Sequence, residues 1–410
     1  MFSLFKKLNI LQKRAFLVII SFGVISLLGD IIYEGARSVN GPYLNSLGAN
    51  ALIVGFVVGI GEFLGYLTRL ISGYFSDKTK AHWLFAIAGY SMLITVPMLS
   101  LTGIWQFAAI LIVLERIGKG LRSPAKDTLL SHAAKQVGTG FGFGIAEFFD
   151  QIGATVGPLI FTFALMYVGT KNNSIGDYQT AYSLLWLPFV ILIIVLFFVY
   201  NFYKNPAEFE QETKNQVPDS LTKIFWYYTI FTFVTTLGFI SFAIVGYHLK
   251  VNNIVSDHQI PFLYAIAMVV DAFAAILIGK SYDSLKYKNE NHNSGLYLLI
   301  VLPLLTVIVL PLVFSFNVIL IFIGMIFWGI VMGAHETIMK AAIADITSIK
   351  KRGTGYGIFN VVYGLAMFLG SAIAGYLYDI SLTVLIAAFI SIEFISMIIF
   401  WLLKKEIKLR

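Results

Sequence analysis

From residue 15 to residue 403 the chain alternates long apolar runs with short polar breaks, and each run is close to the roughly 20 residues a helix needs to cross a bilayer. Stretches such as 184–199 are apolar at every position rather than at every second one, which excludes the strands of a membrane β-barrel. Twelve helical spans fit. Spans one to three are predicted at about 15–40, from the turn 41–50 to 75, and at 83–101; four and five at about 105–130 and 141–168; and the sixth ends near Tyr203. Residues 204–223, rich in Glu, Gln, Asn and Pro and without a hydrophobic period, read as a linker. Spans seven to twelve follow at about 224–249, 260–278, 295–314, 318–346, 355–377 and 382–403, with a polar loop at 282–294. The expected fold class is an all-α membrane protein of twelve transmembrane helices, with halves 1–203 and 224–410 joined by the linker 204–223.

Composition agrees: 58% of the 410 residues are hydrophobic and only 12% charged, whereas soluble domains have about half and about a quarter. The formal charge of +7 does not point to nucleic acid, because the basic residues are spread over alternate loops instead of one patch. One set of loops holds Lys6, Lys7, Lys13, Arg14, Lys78, Lys80, Lys135, Lys204, Lys214, Lys223, Lys286, Lys288, Lys350, Lys351, Arg352, Lys404, Lys405, Lys408 and Arg410, against little beyond Lys171 and Lys250 on the other. By the positive-inside rule both termini and the linker are expected on the cytoplasmic side of the cell membrane. The first apolar run continues without a small-residue cleavage site, so it reads as an uncleaved span. The chain has no cysteine, hence no disulfide and no thiolate metal site.

The two halves repeat. Gly73-Tyr74-Phe75-Ser76-Asp77, followed by Lys78 and Lys80, corresponds to Gly279-Lys280-Ser281-Tyr282-Asp283, followed by Lys286 and Lys288. Likewise Gly138-Thr139-Gly140-Phe141-Gly142 corresponds to Gly353-Thr354-Gly355-Tyr356-Gly357, each opening a fifth span. Matched landmarks in order argue for two pseudo-symmetric six-helix bundles.

Over essentially its whole length the sequence resembles the major facilitator superfamily. The Gly73 to Lys78 segment is similar to the family's signature between spans two and three, with Lys80, Ala81 and His82 at its later positions. Arg116-Ile117-Gly118-Lys119-Gly120 resembles the span-four pattern Arg-x-x-Gln-Gly, with Lys for Gln. Gly144, Gly153 and Gly157-Pro158 resemble the span-five pattern of the family's exporters, with Phe161-Thr162 in place of the trailing glycine pair. The resemblance implies a secondary transporter working by alternating access, with proton-driven efflux of a small organic compound and no cofactor beyond the proton gradient. The expected partners are a small-molecule substrate and membrane lipid, with no nucleic acid, and the chain is expected to be a monomer.

Charges inside apolar spans are costly and mark candidate sites. Asp30, Glu34 and Arg37 lie on roughly one face of span one, either as a neutralised patch or as a carboxyl pair in which one member takes a proton, since burial and a like charge both favour the neutral acid. Arg116 sits near the middle of span four and keeps its charge, so it needs a partner; Lys119, Arg122 and Lys126 continue a basic strip. Glu62, Glu147 and Asp150 are expected at comparable depth, and an acid shared with Arg116 would link a proton to a substrate. A purely structural ion pair is the alternative. Gly144, Gly153, Gly157 and Pro158 allow close backbone approach and local bending, expected as a moving contact between the halves. Asp77 and Asp283 are candidate latches for Arg122 or Lys350.

In the second half the cavity candidates are Asp271, His335, Glu336 and Asn360. His335 and Glu336 are neighbours that point in different directions, with no second histidine nearby, so no metal site is expected. No Walker motif occurs, and the scattered histidines offer no nucleophile and base for a membrane-embedded lipid enzyme. Uptake of an anionic metabolite and export of a divalent metal are the other transport readings.

Overall fold

The computed structural model describes residues 10–168, 175–203, 221–288, 294–347 and 352–408, and these form helices and turns without a strand. Residues 204–220 of the linker 204–223, and Lys350, lie outside the described residues. The helices are α1 (Ile10–Arg37), α2 (Asn40–Ser46), α3 (Ala51–Thr79), α4 (His82–Ser91), α5 (Trp105–Val137), α6 (Thr139–Val168), α7 (Ile175–Ser183), α8 (Trp186–Phe202), α9 (Lys223–Gly238), α10 (Phe242–Val251), α11 (Gln259–Lys288), α12 (Val301–Val313), α13 (Val318–Ile346), α14 (Arg352–Ile380) and α15 (Leu382–Lys408). Among the described residues, eleven spans are long and apolar enough to cross a membrane. The twelfth, α5, is 33 residues long but carries Glu115, Arg116, Lys119 and Arg122 near its middle, which lowers its hydropathy without shortening it.

Several spans are interrupted. The predicted seventh span is two helices, α9 and α10, broken at 239–241. A break at that depth frees backbone groups that lipid cannot satisfy. Trp328 on α13 meets the need, donating from Nε1 to the Ile240 carbonyl at 3.0 Å while its ring stacks on Phe239. The third span starts as α4 and finishes as 3-10 turns around Pro97. Gly138, with φ of +105°, ends α5 in a conformation that side chains disfavour, so the turn into α6 needs a glycine.

The chain forms two compact units, Met1–Ala36 with Leu67–Thr213 and Arg37–Tyr66 with Lys214–Arg410. The segment 37–66 thus groups with the second half of the sequence. Within that unit the Asp379 carboxylate of α14 accepts from the first amides of α3, Ala51 at 3.3 Å and Leu52 at 3.1 Å, and Asn50 Oδ1 accepts from Ile53 N at 3.0 Å. A carboxylate at a helix N-terminus meets both the free N–H groups and the helix dipole. In the first unit α1 and α6 lie close along small residues: a Cβ on Gly35 would stand 3.1 Å from the Gly157 carbonyl, and one on Gly153 would stand 2.9 Å from Asp30 Cβ. The contact that Gly153 and Gly157 make here is therefore with α1 in their own unit. Gly144 faces open space, and α6 continues as a helix through Pro158.

Candidate functional site

In the first unit the charged residues of α1, α5 and α6 gather into two neighbouring groups. The first is built on α5. Glu115 and Arg122 are seven residues apart, two turns, and so share a face; Glu115 Oε1 lies 3.5 Å from Arg122 Nη2, and its other oxygen lies 3.5 Å from Arg116 Nε. One buried carboxylate therefore serves two buried guanidiniums. Arg122 also reaches the Gly89 carbonyl at 3.5 Å, because Gly89 and Gly118 let α4 and α5 approach to where a Cβ on Gly89 would stand 2.6 Å from the Gly118 oxygen. Tyr33 of α1 completes the group. Its hydroxyl accepts from Arg116 Nη1, and its ring faces the Arg116 guanidinium at 4.3 Å and the Lys119 ammonium at 3.6 Å. Cations over an aromatic face with little water between them are attracted by the ring quadrupole.

The second group is acidic. Lys126 Nζ donates to Ser26 Oγ at 3.0 Å and to Asp150 Oδ2 at 3.4 Å. The other oxygen of Asp150 is buried, with no hydrogen-bond partner among the described residues. Asp30, half-buried on α1, is acted on by the charges of Asp150, Lys119, Glu34 and Lys126. Three carboxyls, Asp30, Glu34 and Asp150, thus share this region with two ammonium groups, Lys119 and Lys126.

Other candidates stand elsewhere. Glu147 is exposed and accepts from Gln151 Nε2 at 3.4 Å. Asp77, Lys78 and Asp283 are exposed, and Arg122, a candidate partner for Asp77, is held by Glu115 and Gly89. Gly73 packs near Pro124, and Gly279 near Thr337. In the second unit Arg37 and Glu62 pair at 3.8 Å. Their charges and that of Glu336 act on Tyr363, whose ring meets Tyr66 at 5.1 Å and His335 at 6.2 Å. His335 is buried against Phe239, and neither ring nitrogen has a hydrogen-bond partner among the described residues. Asp271 is buried with its Oδ1 close against Gly333, and Asn360 is half-buried on α14. Among the described residues no group of three or more His, Asp or Glu side chains is arranged to hold a metal ion.

The sequence profile of the Major Facilitator Superfamily matches residues 15–334 and 255–409, nearly the whole chain. The chain belongs to the major facilitator superfamily. Membership makes it a multi-pass membrane transporter and not an enzyme, in agreement with the helical fold. An uncharacterized protein of Mycobacterium tuberculosis is 37% identical over 390 residues, 93% of this chain and 92% of that one. The multidrug resistance protein MdtH of Photorhabdus laumondii is 22% identical over 353 residues, 82% of this chain and 80% of its own. Among solved structures, a POT family transporter in complex with a thioalcohol-conjugated peptide superimposes with a TM-score of 0.76 at 12% identity, covering 95% of this chain and 96% of that one, which shows the shared fold alone.

Three residues of this site escape a reading of the sequence. Glu115 is masked by its neighbour Arg116, since adjacent helical residues point apart, yet the arginine is long enough to swing back. Tyr33 is one of 21 tyrosines in a chain rich in aromatics, so its type carries no signal. Ser26 is a small hydroxyl within an apolar span.

Proposed function

We propose that the protein is a secondary active transporter that exports a small organic solute across the cell membrane in exchange for protons. The observation that carries this reading is the charge count of the acidic group that α1, α5 and α6 build in the first unit. Asp30, Glu34 and Asp150 outnumber Lys119 and Lys126 by one, the exposed Asp127 next to Lys126 being left to water, and a surplus charge in a partly buried place is costly until it is neutralised. A proton neutralises it; so does a cationic solute. The two compete for one surplus charge, and competition of that kind is what antiport requires. Alternating access then has the halves 1–203 and 224–410, joined by 204–223, rock about a central site, with both termini cytoplasmic and the protein acting as a monomer without a cofactor. Export rather than uptake is supported by likeness to MdtH, a multidrug resistance protein.

Flux of a lipophilic cation into proteoliposomes under an imposed pH gradient tests the reading. Transport driven by the gradient in the direction opposite to proton flow is expected; flux indifferent to the gradient would remove the proton from the mechanism.

A second reading rests on the other group. Arg116 and Arg122 outnumber Glu115 by one, which favours an anion bound together with a proton, and hence uptake of an anionic metabolite. Competition binding separates the two: Arg116→Ala abolishes anion binding under the second reading and leaves cation binding nearly unchanged under the first.

A further inference from the structure

Glu393 lies on α15 in the second unit, outside both groups described above, and is fully buried. One carboxyl oxygen accepts from Thr235 Oγ1 of α9 at 3.1 Å; the other, Oε1, has no hydrogen-bond partner among the described residues. One turn on from Thr235, Gly238 leaves the space the carboxyl fills, since a Cβ there would stand 2.9 Å from Glu393 Cδ. Phe400, farther along α15, meets Phe231, earlier on α9, so the two helices run antiparallel along a common seam. Thr236 on α9 and Ser396 on α15, both fully buried, also have hydroxyls without a partner among the described residues.

Among the described residues no cationic side chain pairs with this carboxyl. The elements packed against α15 are α9, α12, α14 and the 3-10 turn Ser294–Ile300. Their titratable groups are Lys223, Tyr227 and Tyr228 on α9, none on α12, Arg352, Tyr356, Tyr363, Tyr376, Tyr378 and Asp379 on α14, and Tyr297 on the turn. The hydrogen bond that reaches Glu393 from these elements comes from Thr235. On α15 itself the next charge is Lys404, eleven residues on and about 16 Å along the helix. A bare carboxylate without a cation or a full set of donors is among the costliest groups to bury.

We propose that the Glu393 carboxyl is a second proton-binding site, carried by the second unit and separate from the Asp30–Asp150 group. It holds a proton while α9 and α15 are packed. Releasing that proton sets a negative charge against Thr235 and Gly238 and loosens the seam, so the proton on Glu393 reports and controls the packing of one unit independently of the surplus charge in the other.

Infrared difference spectroscopy of the full-length protein in detergent tests this. At neutral pH the wild type is expected to show the carbonyl stretch of a protonated carboxylic acid, shifted by H/D exchange and missing from Glu393→Gln. Thr235→Val, which keeps the carboxyl and removes its hydroxyl partner, moves the band to higher wavenumber and serves if Glu393→Gln does not fold. Superimposable acid bands in wild type and Glu393→Gln, or a band unmoved in Thr235→Val, overturn the proposal. So does a Glu393-dependent carboxylate band that shifts between sodium chloride and choline chloride, which assigns the site to an alkali cation instead. Thermal unfolding adds the seam: the fall in Tm with rising pH is expected to be shallower in Glu393→Gln than in the wild type, and equal slopes contradict the link to packing.

Discussion

Asp150→Asn removes one charge from the acidic group and leaves its shape nearly unchanged. The lost attraction follows from geometry: with Lys126 Nζ 3.4 Å from Asp150 Oδ2, a pair of unit charges is worth about 1 kcal/mol at the dielectric of water and about 5 kcal/mol at an effective dielectric of about 20. The side chains are 16% and 23% exposed, so the environment lies between these limits. Ser26 still accepts from Lys126, and Asp30 still acts on it, which reduces the net loss to about 1–2 kcal/mol of stability. The functional loss is of a different kind. With an amide at this position, Asp30 and Glu34 are balanced by Lys119 and Lys126, and no surplus charge is left for a proton to neutralise. In proteoliposomes the variant is therefore expected to lose gradient-driven flux by more than about tenfold, the equivalent of about 1.4 kcal/mol, while exchange of solute for solute across the membrane persists. If Asp150→Asn keeps the wild-type pH profile and gradient-driven rate, the residue only packs, and the exchange of proton for solute at this group is refuted.

Other outcomes follow from the same contacts. Tyr33→Phe removes the hydroxyl that accepts from Arg116 but keeps the ring facing Lys119, and should lower thermal stability by about 1–3 kcal/mol as an arginine donor loses its partner. Gly153→Ala brings a Cβ to 2.9 Å from Asp30 Cβ and 3.1 Å from Leu27 Cα, and should destabilise the α1–α6 contact by about 1–3 kcal/mol in a denaturation assay. Gly144→Ala meets nothing within 4 Å and is expected to be neutral or stabilising by up to about 1 kcal/mol, so equal losses at the two glycines would contradict the described packing. His335→Leu replaces a buried ring whose nitrogens lack hydrogen-bond partners among the described residues; an unchanged or raised Tm is expected, and a large loss would show a partner for the imidazole.

Much of this architecture is legible in the chain itself, because a bilayer imposes long apolar runs and makes each internal charge conspicuous. Arg116, Lys119, Asp30 and Asp150 stand out on those grounds, and the structure gathers them in one unit. Which acid meets which base is not legible, since it depends on helix rotation: Arg116 is paired with the adjacent Glu115, while Asp150 takes Lys126. The break at 239–241 is hidden because its neighbours are apolar and the tryptophan that satisfies Ile240 comes from far along the chain. Glu393 is a different case. A lone acid inside the run 382–403 is a signal in its own right, and it is easily passed over where no second charge stands beside it.

Under the proposed exchange, solute and proton compete for one surplus negative charge. Proton release on binding measures it directly: purified protein in lightly buffered detergent solution is mixed with a saturating lipophilic cation, and the pH change is read with an indicator dye. About one proton released per solute bound, lost in Asp150→Asn, is the predicted result. Binding with no release, or the same release from Asp150→Asn, would contradict the account.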